Sequence, residues 1–211
     1  MQLIEEALKN DKSSILLVPE ISLTPQTVNR FMSRFGKEKI AVLHSKLSIG
    51  ERFDEWHKIN SGKAKIVIGA RSAIFAPVKD LGLIIIDEEH DSSYKSEMTP
   101  RYDAKEVARF ICKESNVPLI LGSATPDIDT YYRAQNEEIM LLELTKRANN
   151  SSLPEIEIVD LREELAKGNK TMISTKLYSE IEKNLENKKQ TILYLNRRGF
   201  STFVMCRKCG Y

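Results

Sequence analysis

Short, almost uninterrupted apolar runs at 15–18, 40–43, 65–68, 83–86 and 119–121 alternate along this chain with longer amphipathic stretches. A strand buried on both faces has no polar side, so it reads as a continuous run of Val, Ile and Leu rather than as an alternation. The amphipathic stretches at 24–35, 49–60 and 103–113 lie between these runs, which is the order of βαβ units around a parallel sheet. Thr24 is placed to cap the first of these helices, with Pro25 at its first position and Gly36 as its stop. Residues 1–9 predict a helix at the start, and 127–135 predict a short one followed by a strand at 139–144. The fold class expected is α/β.

The pattern changes after Leu144. A polar stretch containing Asn149-Asn150-Ser151-Ser152 runs up to Pro154 and predicts a linker over 146–155. A strand at 156–159, a charged connection, a helix at 174–187 and a strand at 191–195 are expected beyond it. The division that follows is one lobe over 1–145 and the opening of a second over 156–211.

Composition narrows the class without deciding the partner. Hydrophobic residues make up 41% of the chain and charged residues 29%, as in a soluble globular protein. With 32 Lys and Arg against 30 Asp and Glu the formal charge is only +2, so any basic surface for nucleic acid must be local. No apolar run approaches the roughly 20 residues needed to cross a bilayer, so no membrane partner is expected. The three cysteines, Cys112, Cys206 and Cys209, are too few for a disulfide framework, which favours a cytoplasmic setting.

The sharpest chemical feature closes the run at 83–86, where Asp87-Glu88-Glu89-His90 follows a buried strand. Ligands of open α/β sheets bind beyond the carboxyl ends of the strands. One acid there can hold Mg²⁺ through its water shell, and a neighbouring acid can orient a water toward a γ-phosphate. A solvated turn explains four such residues equally well when they are taken alone. They are not alone: Pro19-Glu20-Ile21-Ser22-Leu23-Thr24-Pro25-Gln26, Gly69-Ala70-Arg71-Ser72-Ala73 and Gly122-Ser123-Ala124-Thr125-Pro126 also follow predicted strands. All four segments would gather along one edge of the sheet.

In this order and wording the segments resemble motifs Ia, Ib, II and III of superfamily-2 helicases. The passage Asn196-Arg197-Arg198-Gly199-Phe200 before Cys206-x-x-Cys209-Gly210-Tyr211 is similar to the bacterial primosomal (PriA-type) replication-restart family. The resemblance implies a RecA-like lobe of an ATP-dependent 3′-to-5′ DNA helicase. It implies that Asp87 binds Mg²⁺–ATP, that Glu88 is the catalytic base, and that His90 couples the nucleotide site to DNA. Ser123 and Thr125 would link nucleotide state to lobe position, although capping of the helix near Asp127 accounts for them as well. Ser22, Thr24, Arg71 and Ser72 would line the path of a single strand, and Arg71 has a carboxylate ion pair as its structural alternative. Tyr94, Lys95 and Arg101, in a stretch that mixes aromatic and basic residues, would form an aromatic-rich loop that senses DNA. The partners implied are single-stranded or forked DNA, primosome proteins and single-strand-binding protein.

Two features qualify this expectation. The pattern G-x-x-x-x-G-K-[ST] occurs nowhere in the 211 residues: near Gly62-Lys63, Ala64 replaces the hydroxyl residue. The helix at 1–9 is where the family's chain has just left that loop, so the isolated chain is expected to be unable to hydrolyse ATP. Cys206 and Cys209 have the spacing of half a zinc site, and one pair is not expected to hold zinc stably. Cys112 falls within a predicted helix and reads as a buried thiol. The competing assignments are a non-catalytic single-strand-binding fragment and a lobe of a RecG-like translocase.

Overall fold

The computed structural model describes residues 1–145 and 154–194. The linker and terminal stretch expected from the sequence, including Cys206 and Cys209, fall mostly or wholly outside the described residues. The chain divides into two units, Met1–Glu143 and Leu144–Tyr211.

The first unit is built on five parallel strands: β1 (Ser13–Leu17), β2 (Ile40–Leu43), β3 (Ile66–Gly69), β4 (Leu81–Ile86) and β5 (Leu119–Leu121), in the spatial order β2-β3-β1-β4-β5. Helices α1 (Gln2–Lys9), α2 (Pro25–Phe35), α3 (Ile49–Asn60), α4 (Ala104–Ser115) and α5 (Ile128–Gln135) complete it. Successive strand residues face opposite sides, and the two cores follow that alternation. Ile15, Leu17, Val67, Ile84 and Ile86 pack with Ile59 of α3 and with Ala104, Ala108 and Cys112 of α4. Leu16, Ile66, Ile68 and Leu83 pack with Ile4 of α1 and Phe31 of α2. Every strand of β1 to β4 is thereby covered on both faces, which is why the runs are continuously apolar.

The helix boundaries obey local chemistry. Thr24 Oγ1 accepts from Thr27 N at 3.2 Å with Pro25 next to it, and Gly36 closes α2 at φ 89°. Ser48 and Glu51 form a reciprocal capping box on α3, with bonds of 2.8 and 3.3 Å. The cysteine assignment also holds: Cys112 is buried on α4, and burial pushes its thiol up to about 11.

Among the described residues three expected strands are not formed. Residues 139–144, 156–159 and 191–194 have no strand structure, and Met140, Leu144, Ile156, Ile158 and Ile192 are exposed. Among the described residues these runs pair with no neighbour, and a strand without a neighbour leaves its backbone donors and acceptors unbonded. The charged connection instead contains a helix, α6 (Leu161–Ala166), with Asp160 at its N-cap, and α7 (Thr175–Glu186) follows. Among the described residues no helix is long and apolar enough to cross a membrane.

One glycine is fixed by packing. A Cβ at Gly69, where β3 turns into the 3-10 segment Arg71–Phe75, would lie 2.4 Å from the Leu43 carbonyl oxygen and 2.6 Å from Ala73 Cβ. Backbone cannot yield as a flexible side chain can. Gly69→Ala should therefore lower stability in urea unfolding by about 1–3 kcal/mol. Gly50→Ala, where nothing lies within 4 Å, should be neutral or slightly stabilising.

Candidate active site at the carboxyl edge of the sheet

The ends of β1, β4 and β5 are stitched together beyond the regular ladder. Asp87 N donates to Leu17 O at 2.9 Å, Gly122 N to Ile86 O at 2.8 Å, and Glu89 N to Gly122 O at 3.0 Å. These bonds hold Asp87 level with the strand ends while its carboxylate faces solvent. Glu88 follows in the left-handed region at φ 46° and donates its amide to Asp87 Oδ1 at 3.1 Å. A non-glycine residue there costs of the order of 1–3 kcal/mol and survives only where surrounding bonds enforce it. The conformation turns the chain so that Glu88 is about half exposed, 48% at its side chain, whereas Glu89 is buried.

His90 connects the two strand ends. Its Nδ1 lies 2.7 Å from Ser123 Oγ and 3.7 Å from Glu88 Oε2. Ser123 Oγ also accepts from Thr125 N at 3.0 Å, so its proton is free for an unprotonated Nδ1, or its second lone pair for a protonated one. Neither Ser123 nor Thr125 caps α5: the N-cap is Asp127, without a side-chain cap bond. The result is one hydrogen bond, His90 to Ser123, between the two strand ends, with the Glu88 carboxylate 3.7 Å from the same His90 nitrogen.

The remaining edge residues divide into exposed and engaged groups. Ser22, half-buried, ends the 3-10 turn Glu20–Ser22 after β1, whose other two residues are exposed, and Thr24 is engaged as the α2 cap. Among the described residues Arg71, after β3, bonds no carboxylate. Its Nη1 donates to the carbonyl of Ser93 at 3.2 Å and to that of Lys95, and its guanidinium lies 5.6 Å from the Tyr102 ring centroid. Ser72, Lys95 and Arg101 are exposed. Arg71 and Ser72 line a cleft of about 520 Å³ with Glu20, His44, Arg52, Trp56 and Phe75.

Tyr94 corrects the sequence reading. It was expected to offer its ring to a base, but it is fully buried in the core beside α4, and its hydroxyl donates to Asp87 O at 2.6 Å. Burial, with Asp87 and Asp91 nearby, holds its phenol well above the usual value, so it stays a neutral donor. Its place is beneath the acidic turn, where it supports the Asp87 backbone.

Comparison with known proteins fits this arrangement. A family model described as DEAD/DEAH box helicase matches residues 1–134. The chain belongs to the DEAD/DEAH box helicase family. It is 54% identical over 211 residues to the replication restart protein PriA of Bacillus subtilis, covering 100% of this chain and 26% of that protein. It is 47% identical to the PriA of Treponema pallidum, covering 98% of this chain and 31% of the relative. The chain thus spans about a quarter to a third of the length of the curated relatives it matches. The Hef helicase domain of Pyrococcus furiosus superposes with a TM-score of 0.50 at 23% identity, over 72% of this chain and 32% of that one. That likeness supports the RecA-like α/β fold.

Within this helicase lobe, the second glutamate of motif II has a role the sequence did not reveal. Glu89, 1% exposed, accepts from Lys105 Nζ at 3.0 Å, Asp127 N at 2.6 Å and Thr130 Oγ1 at 3.1 Å. Lys105 also reaches Asp127 Oδ2 at 3.0 Å. One buried carboxylate thus ties the turn after β4 to the start of α5, just past the Ser123–Thr125 segment. Burial alone would pull the Lys105 ammonium down, but the bonds and charges of Glu89 and Asp127 hold it above the ordinary lysine value. The hydrogen bond and charge of Lys105 hold Asp127 below the usual carboxylate range. A signal was present in the sequence: Lys105 occupies the same helical stripe as Ala104, Ala108 and Cys112. Among the described residues no group of three or more His, Cys, Asp or Glu side chains is arranged to hold a metal ion by itself.

Lys105→Met should destabilise the fold by about 3–5 kcal/mol in urea unfolding, because it leaves Glu89 buried without its counter-charge. Glu89→Leu with Lys105→Met should recover much of that loss. Asp127, with its lowered folded pKa, contributes stability that is present above its unfolded value and is lost as pH falls through its folded value. The unfolding midpoint of the wild type should therefore drop at acid pH more steeply than that of Asp127→Asn.

Proposed function

We propose that this chain forms the first motor lobe, and the start of the second, of an ATP-dependent 3′-to-5′ DNA helicase that acts in replication restart and primosome assembly. The observation that carries the reading is the His90–Ser123 hydrogen bond, which joins the ends of two adjacent strands beside the Glu88 carboxylate. Through it a change in charge at Glu88 would be felt one strand away.

The residues present fit Mg²⁺–ATP on one side. Asp87 offers an exposed carboxylate at a strand end with Oδ1 held by the Glu88 amide, suited to bind Mg²⁺ through water. Mg²⁺–ATP, when bound, supplies a phosphoryl group whose charge the metal neutralises. Glu88, turned outward, is placed to orient a water and accept its proton. His90 and Ser123 can exchange donor and acceptor roles as the charge on Glu88 is engaged or freed. The G-x-x-x-x-G-K-[ST] pattern does not occur in the sequence, so the chain alone is proposed to be unable to hydrolyse ATP.

Single-stranded or forked DNA would cross the same edge. Ser22, Arg71, Ser72, Lys95 and Arg101 would contact its backbone, and Thr24 would act through the helix end it caps. Primosome proteins and single-strand-binding protein would be partners, in the cytoplasm, and Cys206 with Cys209 would give half of a zinc site. The missing phosphate-loop pattern favours a second reading for the isolated chain, a non-catalytic DNA-binding piece.

Measurement of ATP turnover with Mg²⁺, with and without single-stranded DNA, tests the proposal. The chain alone should show none, and a form extended to carry the phosphate loop and the second lobe should show DNA-stimulated turnover. Glu88→Gln in that form should lower turnover by about 10²–10⁴-fold. Turnover by the chain alone that Glu88→Gln abolishes would overturn the proposed inactivity. An inactive extended form would overturn the helicase assignment.

A further inference from the structure

At the edge assigned to DNA lies an aromatic cleft, lined in part by Arg71 and Ser72, whose Trp56 belongs to none of the motifs. Trp56 of α3 and Phe75 of the 3-10 segment after β3 line it, and they are 44% and 58% exposed. Arg52, Arg71 and His44 supply cationic or donor groups on the same walls, and Ser72 adds a hydroxyl. The one acid of the lining, Glu20, already accepts a hydrogen bond from Ser45. Singly exposed aromatics are ordinary on a protein surface, so what distinguishes these two is that they share a concave site. Here both face one concavity whose charged lining is two arginines against one carboxylate.

The aromatic walls are held rigidly. The capping box fixes the start of α3, and Trp56 meets the His57 ring edge-on at 5.6 Å between centroids. His57 in turn meets Phe53 at 4.3 Å, so three rings brace one another along the helix. Phe75 meets Tyr102 at 5.0 Å, and Tyr102 carries the Arg71 guanidinium on its face. A flat ligand would therefore find preformed walls and little ordering cost.

We infer that this cleft takes an unstacked base of a DNA single strand, with Trp56 as the stacking platform and Arg52 and Arg71 facing the adjoining phosphates. The combination selects this chemistry. A purely apolar ligand would leave the arginines desolvated, and a bare phosphate would gain nothing from the rings. A base joined to a phosphate uses both. The inference rests on the reading of this edge as the DNA track, and it adds a base contact to a path otherwise formed by backbone contacts. A mononucleotide shares the chemistry, but the cleft adjoins Arg71 and Ser72 at the strand ends, so a continuous strand is the occupant proposed.

Trp56 is the only tryptophan of the chain, so its fluorescence reports on this cleft alone. The experiment titrates the chain with a fluorescein-labelled oligothymidylate followed by anisotropy, and with its unlabelled form followed by tryptophan emission. An abasic oligomer of equal length and thymidine monophosphate serve as the other probes. Expected are quenching with the same midpoint as the anisotropy, anisotropy without quenching for the abasic oligomer, and no quenching by the monophosphate over the same range. Trp56→Ala should weaken oligothymidylate binding by roughly 5- to 150-fold, the equivalent of one stacked base, and Trp56→Phe should recover part of it. Circular dichroism of both variants should match wild type, since Trp56 is nearly half exposed and lies outside both hydrophobic cores. Oligomer binding with unchanged tryptophan emission would overturn the base site and leave the DNA track standing. No anisotropy change with any oligomer would overturn both, and equal quenching by the monophosphate would overturn the strand as occupant.

Discussion

Everything chemical in this lobe depends on the bonds that continue the parallel ladder one residue past its strands, above all Asp87 N to Leu17 O and Gly122 N to Ile86 O. Parallel strands finish at one edge, so loops remote in sequence share a surface. The register places Leu17 beside both Gly69 and Ile86, and Ile86 beside Leu121. Four loops that leave from level strand ends can then act together. The buried Leu and Ile of both cores hold that register, because each side chain is packed against particular helix residues on its own face and a slip by one residue would undo that fit.

Upon that edge the acidic turn distributes three adjacent carboxylates among three different environments. Asp87 is pinned through its backbone to β1, and from below by the Tyr94 hydroxyl. The left-handed residue at 88 reverses the direction in which the following side chain points. Glu88 thus faces solvent beside His90, and Glu89 enters the interior to meet Lys105. Outward and inward glutamates serve separate needs. The first leaves a carboxylate open to solvent beside His90. The second fixes the start of α5, and through it the segment that carries Ser123.

Sequence legibility follows the range of the interaction involved. All five strands of the first unit were legible because each is a continuous apolar run, imposed on β1 to β4 by burial on both faces and carried by the half-buried β5 as well. The α2 cap was legible because Thr24, Pro25 and Gly36 act within a few residues of one another. The runs at 139–144, 156–159 and 191–195 carried the same local pattern and yet formed no strand in the residues described. Apolar composition is necessary for a buried strand, but pairing is a property of the neighbour. Tyr94 was misread for a similar reason: an aromatic after an acidic turn has the same composition whether it stands over DNA or under the turn.

The sequence by itself determined the α/β class, the alternation of strands and helices, and the presence of the Asp87–His90 and Ser123–Thr125 chemistry at strand ends. These are set by periodicity and by residue types a few positions apart. Only the tertiary structure decided which glutamate is exposed, that Lys105 neutralises Glu89, that Arg71 bonds carbonyls rather than a carboxylate, and that Trp56 and Phe75 share one cleft. Each of those outcomes joins residues 16 to 41 positions apart. At such separations the packing of the sheet, and no local preference, selects the partners.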